Sequence, residues 1–215
     1  MSAIIGACGL ALLIAAVPAA ISSNIDTSRT VFVVLLGIAA VLCSRFPIRV
    51  GIGDSILTLD MVPLVMAAVL LDWHDVVLIG VVASAVTLID APGDERGLVG
   101  WYWRVQTAAT AAAVMAVGSG AAQLVGTNPG GTPQPVLLLP ALLVALVIEA
   151  MFDLTYVIDE EARGTNGREV LASFEMRVVI AANVLIAGLA TAVLTPYVDD
   201  LVRFTLLLPA LLLGL

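Results

Sequence analysis

Long apolar stretches alternate with short polar segments along the whole chain. A helix needs about 20 predominantly apolar residues to cross the hydrocarbon layer of a bilayer, and shorter runs suffice when their polar ends lie at the interface. The pattern predicts eight membrane-spanning helices: Ser2–Ile21, Thr30–Cys43, Ser55–Leu71, Val76–Ile89, Trp101–Val125, Val136–Ile158, Arg177–Pro196 and Leu201–Leu215. The sequence therefore predicts an all-α, polytopic transmembrane helix bundle.

Composition agrees with this pattern. Hydrophobic residues make up 61% and charged residues 12% of the 215 positions, whereas soluble domains carry about 25% charged residues. The first apolar run lacks the basic leading segment and the cleavage site of a secretory signal, so we expect a retained helix. Residues 1–215 are thus expected to form one transmembrane domain whose main partner is the lipid bilayer. The net charge of −8 argues against nucleic acid as a partner.

The arginines predict how the bundle is oriented. Basic residues near helix ends stay on the cytoplasmic side of a membrane. With the N-terminus inside, two arginines fall in outer connections, Arg29 and Arg203, and seven fall in cytoplasmic ones. Those seven are Arg45, Arg49, Arg96, Arg104, Arg163, Arg168 and Arg177. This asymmetry predicts that both termini are cytoplasmic.

The last apolar run reaches Leu215 without a polar tail to close the eighth helix. We therefore expect the chain to be the membrane region of a longer protein that continues into a cytoplasmic C-terminal domain.

Several ionisable side chains lie at membrane depth, where each costs about 2.5 to 3.5 kcal/mol at the bilayer centre. Glu149 lies nine residues before Ile158, which is about 14 Å from the predicted inner end of the sixth span. Asp153 is one turn away on the same face, where two carboxylates repel unless a donor lies between them. The predicted buried cluster contains Asp60, Arg104, Gln106, Glu149 and Asp153, with Tyr156 at its edge. It is interpreted either as a site for a polar ligand or a proton, or as an ion-pair network that fixes the register of the helices.

The predicted outer turn between the third and fourth spans reads Asp72-Trp73-His74-Asp75. Together with Asp26, Asp199 and Asp200 it could form an acidic rim that collects a divalent cation. The alternative is an interfacial turn anchored by Trp73. A single histidine without a defined ligand spacing does not predict a metal site.

No phosphate-binding loop, serine elbow or metalloprotease motif occurs in the chain, since each requires a defined pattern of residues. We therefore predict no catalytic residues and no cofactor, and this chain by itself is not expected to be an enzyme.

Two segments carry a family resemblance. They are Phe46–Leu71 (FPIRVGIGDSILTLDMVPLVMAAVLL) and Trp101–Ala109 (WYWRVQTAA). Their arrangement resembles the N-terminal multi-span membrane sensor regions of bacterial signalling proteins that end in GGDEF, EAL or HD-GYP domains, which make or degrade cyclic di-GMP. In those regions a Phe-Pro extended segment precedes the third helix, and an aromatic-rich start with an amide, here Gln106, opens the fifth. The segment Asn166–Phe174 (NGREVLASF) is similar to their Gly-Arg connector, and Asp153 stands where they often carry asparagine.

The resemblance implies a bacterial cytoplasmic membrane, a homodimer, and any catalysis in a separate cytoplasmic domain. The leading functional prediction is a membrane-embedded sensory or regulatory module that passes a signal to a cytoplasmic output domain. A small-molecule ligand or a change in the membrane would shift its helix packing. The alternative is a small-solute transporter or a membrane-spanning substrate-binding component, with the site around Glu149. A membrane-embedded enzyme is a third interpretation, which lacks a nucleophile or a metal set.

Overall fold

The structure of the chain is a computed structural model. It describes residues 2–22, 27–45, 48–49, 56–57, 59–89, 98–126, 134–162, 166–167, 169, 173–198 and 200. Within these ranges lie seven α-helices: α1 (Ser2–Ser22), α2 (Thr27–Arg45), α3 (Met61–Leu70), α4 (Trp73–Ile89), α5 (Leu98–Leu124), α6 (Gln134–Ala162) and α7 (Phe174–Leu194). A 3₁₀ turn, Thr195–Tyr197, continues α7. The prediction of an all-helical bundle is confirmed, and helices occur in seven of the eight predicted spans. The eighth span, residues 201–215, lies outside the described residues.

Among the described residues, four helical segments are long and apolar enough to cross a membrane: Ile4–Ser22, Arg104–Leu124, Leu137–Ile158 and Met176–Tyr197. These apolar helices indicate a membrane protein. Many large apolar side chains of α1, α6 and α7 also lie on the surface of the bundle, where acyl chains rather than water are their natural solvent. Eight crossings and cytoplasmic termini stay predictions.

The shortest helix, α3, lies at the centre of the bundle. Eight of its ten residues are buried, and it contacts α2, α4, α5, α6 and α7. At 1.5 Å per residue it is about 15 Å long, half of the roughly 30 Å hydrocarbon layer. Its side chains form the middle of the main apolar core, to which α2, α4, α5, α6 and α7 each add buried residues.

The predicted third span, Ser55–Leu71, is wrong in its first part. Ile56 and Leu57 form a short strand, β2, that pairs antiparallel with β1 (Ile48–Arg49), and helix begins only at Met61. Pro63 is compatible with this late start, because in the first turn of a helix its missing amide hydrogen removes no helical hydrogen bond. Hydropathy predicted the apolar length of this segment but not where its helix begins.

The predicted turn between the third and fourth spans is shorter than expected. Only Leu71 and Asp72 separate α3 from α4. The carbonyl oxygen of Asp72 accepts hydrogen bonds from the amides of Asp75, at 3.0 Å, and Val76, at 3.2 Å. Trp73, His74 and Asp75 therefore belong to the first turn of α4, where an acidic side chain is favoured by the helix dipole.

The first helix packs on α4 and α5 through a contact separate from the main core. Ala16 of α1 meets Val77 of α4 and Ala112 of α5. Two glycines of α1 permit the close approach. A Cβ atom at Gly6 would overlap the side-chain amide of Gln106, and one at Gly9 would overlap the backbone carbonyl of Ala109. Backbone cannot move aside as a side chain does, so Gly9 sets the distance between α1 and α5.

This contact yields a stability prediction. Gly9→Ala should lower the free energy of unfolding by about 1 to 3 kcal/mol, because the added methyl group forces α1 away from α5. Unfolding by sodium dodecyl sulfate in mixed micelles, followed by circular dichroism, measures the change.

Gly37→Ala in α2 is the matched control, since a Cβ there meets no atom within 4 Å. It should be neutral or stabilising by up to about 1 kcal/mol, the difference in helix propensity. Equal losses in the two variants would contradict the proposed contact.

Candidate functional site

A cavity of about 460 Å³ lies at one end of the bundle, between five helices. Asp60 and Leu64 line it from the start of α3, and Met176 lines it from the start of α7. The second half of α4, the first half of α5 and the second half of α6 complete the wall. Ligand pockets typically measure about 300 to 1,000 Å³, so the space suits a small molecule.

The polar part of the lining consists of carboxyl and hydroxyl groups. The carboxyl groups belong to Asp60 and Asp153. The hydroxyl groups belong to Ser84, Thr107, Thr110, Thr155 and Tyr156. The remaining side chains are apolar, and they include the ring of Phe152 and the thioether of Met176. An apolar wall with a few polar groups is the composition typical of ligand sites.

The structure brings three of the six predicted cluster residues together. Asp60, Asp153 and Tyr156 line the cavity. Asp153 and Tyr156 are three residues apart on α6 and therefore share a face of that helix. All three belong to the predicted cluster, and the structure places Asp60 beside the other two from the start of α3.

The other three predicted residues lie elsewhere. The buried amide of Gln106 faces Gly6 of α1. Its neighbour Thr107 lines the cavity. Because adjacent positions on a helix point about 100° apart, Gln106 faces a different direction from Thr107. Arg104 is exposed and is absent from the lining. Glu149 is buried one turn before Asp153 and outside the lining. The predicted cluster is therefore split, and Arg104 does not lie between the two carboxylates of α6.

Glu149 belongs to a contact between α6 and α7. Its Oε1 accepts a hydrogen bond of 3.1 Å from Nδ2 of Asn183, and both side chains are buried. Asn183 itself keeps an Oδ1 atom that has no hydrogen-bond partner within the described ranges. A polar pair inside a bundle replaces water as the hydrogen-bonding partner, so Glu149 serves helix association in this structure.

Sequence reasoning missed the serine and threonine hydroxyl groups of the cavity. Thr107 and Thr110 are three residues apart on α5 and repeat the spacing of Asp153 and Tyr156 on α6. The signal is weak, because serine and threonine in membrane helices commonly bond to their own backbone. Thr155 does this here: its hydroxyl donates to the carbonyl oxygen of Phe152 at 2.8 Å.

A second polar cluster lies at the opposite end of the bundle. Nη2 of Arg29, in the first turn of α2, is 2.7 Å from Oδ2 of Asp72 and 2.6 Å from Oδ2 of Asp75. Its Nε donates to the same Asp75 oxygen at 2.9 Å, and Nη2 is 3.0 Å from Nε2 of His74. This arginine ties the start of α2 to the start of α4.

Arg29 changes the interpretation of the acidic outer rim. Its guanidinium occupies the space between Asp72 and Asp75 that a cation would need. Among the described residues, no group of three or more His, Cys, Asp or Glu side chains is placed to hold a metal ion. Trp73 packs edge-on against the ring of His74 with centroids 5.8 Å apart. Asp26 and Asp199 of the predicted rim lie outside the described residues.

Removing the arginine should be costly. Arg29→Ala leaves Asp75, whose side chain is 9% exposed, as a buried carboxylate without its cation. Breaking a buried pair costs about 3 to 5 kcal/mol. Because the Arg29 side chain is 28% exposed, we expect a loss of about 2 to 3 kcal/mol in the free energy of unfolding.

Asp72→Asn is the control, since the Asp72 side chain is 62% exposed and exposed ion pairs contribute at most about 1 kcal/mol. Denaturant unfolding in micelles compares the two variants. A loss for Asp72→Asn as large as that for Arg29→Ala would show that burial of Asp75 is not the cause.

The α6–α7 hydrogen bond supports another prediction. Asn183→Leu should destabilise the chain by about 1 to 2 kcal/mol, because the donor to buried Glu149 is lost. Glu149→Gln should cost less, since its amide oxygen still accepts from Asn183. A double-mutant cycle of Asn183→Leu with Glu149→Leu, each of which removes the hydrogen bond, measures the coupling of the two side chains, which should be about 0.6 to 1.7 kcal/mol. Strictly additive effects would mean that the hydrogen bond does not stabilise the bundle.

Comparison with known proteins gives no relative on which to base a function: no family model, no curated protein and no solved structure matches this chain.

Proposed function

We propose that the chain is a membrane-embedded sensory or regulatory module, which binds a small molecule in the cavity and passes the signal to a cytoplasmic output domain. One observation carries this proposal: five helices line the cavity, from Asp60 at the start of α3 to Met176 at the start of α7. An occupant would therefore contact most of the bundle at once. The chain itself is not proposed to catalyse a reaction.

The packing around the cavity supports a signalling mechanism. A ligand shifts a conformational equilibrium only when it binds one arrangement more tightly than another. Here α7 packs on both α3 and α6, and all three helices contribute to the cavity wall. A ligand that favours one spacing of these helices would move α7, and with it the predicted eighth span that follows.

The arginines support the proposed orientation, with eight crossings and both termini in the cytoplasm of a bacterium. Arg45 ends α2, Arg104 lies in the second turn of α5, and Arg177 lies in the first turn of α7. All three are exposed and lie at the cavity end. Arg29, at the other end, is paired with Asp72 and Asp75. Three of these four arginines thus lie at the cavity end, as the positive-inside rule, which counts arginine and lysine rather than net charge, expects of a cytoplasmic side.

The resemblance of Phe46–Leu71 and Trp101–Ala109 to the sensor regions of cyclic di-GMP signalling proteins supports a cytoplasmic output domain and a homodimer. The pairing of β1 with β2 agrees with an extended segment before the third helix, a feature of that resemblance.

A transporter or a membrane-spanning substrate-binding component is the second candidate. The same cavity, with carboxyl groups from α3 and α6, would then be a substrate site inside the bundle. A transporter must expose this site to both sides of the membrane in turn, whereas a sensor needs only a change in helix spacing.

The first experiment is native mass spectrometry of the chain released from micelles, with wild type beside Asp153→Asn. We expect a reproducible bound molecule in the wild type and its loss in the variant. Asp72→Asn, whose carboxyl group lies at the opposite end of the bundle, should retain it. Ligand-free spectra for all three folded proteins would overturn the claim that a ligand is retained on purification. Ligand-free spectra together with no binding of any added small molecule would overturn the proposal.

The identified molecule then separates the two candidates. Val82 in α4 and Val178 in α7 are exposed, so spin labels attached at Val82→Cys and Val178→Cys report the distance between these two helices. The native Cys8 and Cys43 are first replaced by alanine, so that only the two new cysteines are labelled. A ligand-dependent change in distance without uptake into proteoliposomes supports the sensor. Uptake of the molecule supports the transporter.

A further inference from the structure

The described side chains that line the cavity carry charge of one sign only. Asp60 and Asp153 are its ionisable carboxyl groups, and no arginine, lysine or histidine is among the described lining residues. We propose that the cavity binds a small organic amine in its protonated form. This inference rests on the proposed function, and it names the chemical class of the ligand.

Within the described residues, neither carboxyl group has a cationic partner. The ion pairs of Arg29 and His74 lie at the other end of the bundle, and Asp60 and Asp153 form none with a described arginine or histidine. The Oδ1 atom of Asp60 is buried, and it has no hydrogen-bond partner within the described part of the chain. A buried carboxylate oxygen without a partner is costly, and a cationic ligand would supply that partner.

The hydroxyl groups favour a ligand that donates hydrogen bonds. Thr155 donates to the carbonyl oxygen of Phe152 at 2.8 Å, and Ser84 donates to that of Val81 at 2.8 Å. A hydroxyl whose hydrogen is engaged still offers lone pairs as an acceptor. Together with the carboxylates, these oxygens match the N–H groups of an ammonium, whereas an anion would meet acceptors and negative charge.

The rest of the wall favours an organic body over a bare ion. Phe152 and Tyr156 provide aromatic faces, which attract cations, and Leu64 and Met176 provide apolar surface. Calcium takes six to eight oxygen ligands, and no group of three or more ligating side chains of the metal-binding types occurs among the described residues. A cavity of about 460 Å³ leaves room for a hydrocarbon or aromatic group next to the ammonium.

Probes of one shape and different charge test the inference. Phenethylamine, 2-phenylethanol and phenylacetate share a benzyl group and differ in being cationic, neutral and anionic at pH 7. The thermal unfolding midpoint of the intact chain in micelles rises with any ligand that binds the folded state. We expect a saturable rise with phenethylamine, and with cyclohexylamine and putrescine as further amines, but none with the alcohol or the carboxylate.

Substitutions locate the effect in the cavity. Asp153→Asn should weaken phenethylamine binding by about tenfold, the usual value of one charge-assisted hydrogen bond, and Asp153→Glu should retain most of the affinity. Asp72→Asn should bind as the wild type does. If Asp153→Asn fails to fold, the binding measurement is made with Asp60→Asn instead. The comparison of the three probes uses the wild-type chain and therefore does not depend on either variant.

The outcomes also distinguish this inference from the proposed function. Binding of the alcohol or the carboxylate as tight as that of the amine would overturn the amine class, as would the absence of a response to all three amines. A neutral or anionic molecule retained in native mass spectra would do the same, yet leave a ligand-binding module standing. Spectra without any bound molecule, together with a response to amines, would support the amine site and overturn only the claim that a ligand is retained on purification.

Discussion

The length of α3 is the constraint on which the architecture depends. Its ten residues cover about half of a hydrocarbon layer, and lipid cannot satisfy the backbone groups of a segment that stops there. The fold meets this condition by surrounding α3 with α2, α4, α5, α6 and α7. The described residues just before α3, which are residues 56–57 and 59–60, form strand and turn rather than a further turn of helix. The cavity lies beside this start of the short central helix.

Ionisable groups are accommodated in three different ways around that centre. Arg29 and Asp75 pair with each other at one end. Glu149 is deep in the bundle and accepts a hydrogen bond from Asn183. Asp60 and Asp153 border the cavity without an ion pair in the described structure. Only the last pair combines negative charge with room for another molecule, which is why the functional argument rests on these residues and not on Glu149.

Hydropathy was sufficient to predict seven helices, because each apolar run has to be helical in a membrane. It failed for residues 56–57, where strand pairing precedes Pro63 and an apolar count cannot distinguish strand from helix. Helical spacing predicted a shared face for Glu149 and Asp153, but it could not predict that only Asp153 lines the cavity. It could not predict that Gln106 faces α1, since that depends on the close approach at Gly6 and Gly9. Nor could it pair Arg29 with Asp75, which are 46 positions apart and meet only through the packing of α2 on α4.

The charge of the cavity and the packing of the helices together explain how a ligand would act on the whole bundle. Asp60 precedes α3 as its N-cap and Asp153 lies on α6, so the two carboxyl groups border one space from two helices. A cation bound by both carboxylates would draw α3 and α6 together. Gly118 of α5 lies against Ile148 of α6, and Gly188 of α7 lies against Leu142 of α6. These contacts leave no space in which the side chains of α6 could shift relative to α5 and α7 if α6 moved. Because packed interfaces shift between discrete arrangements and do not deform continuously, α5 and α7 would move with it.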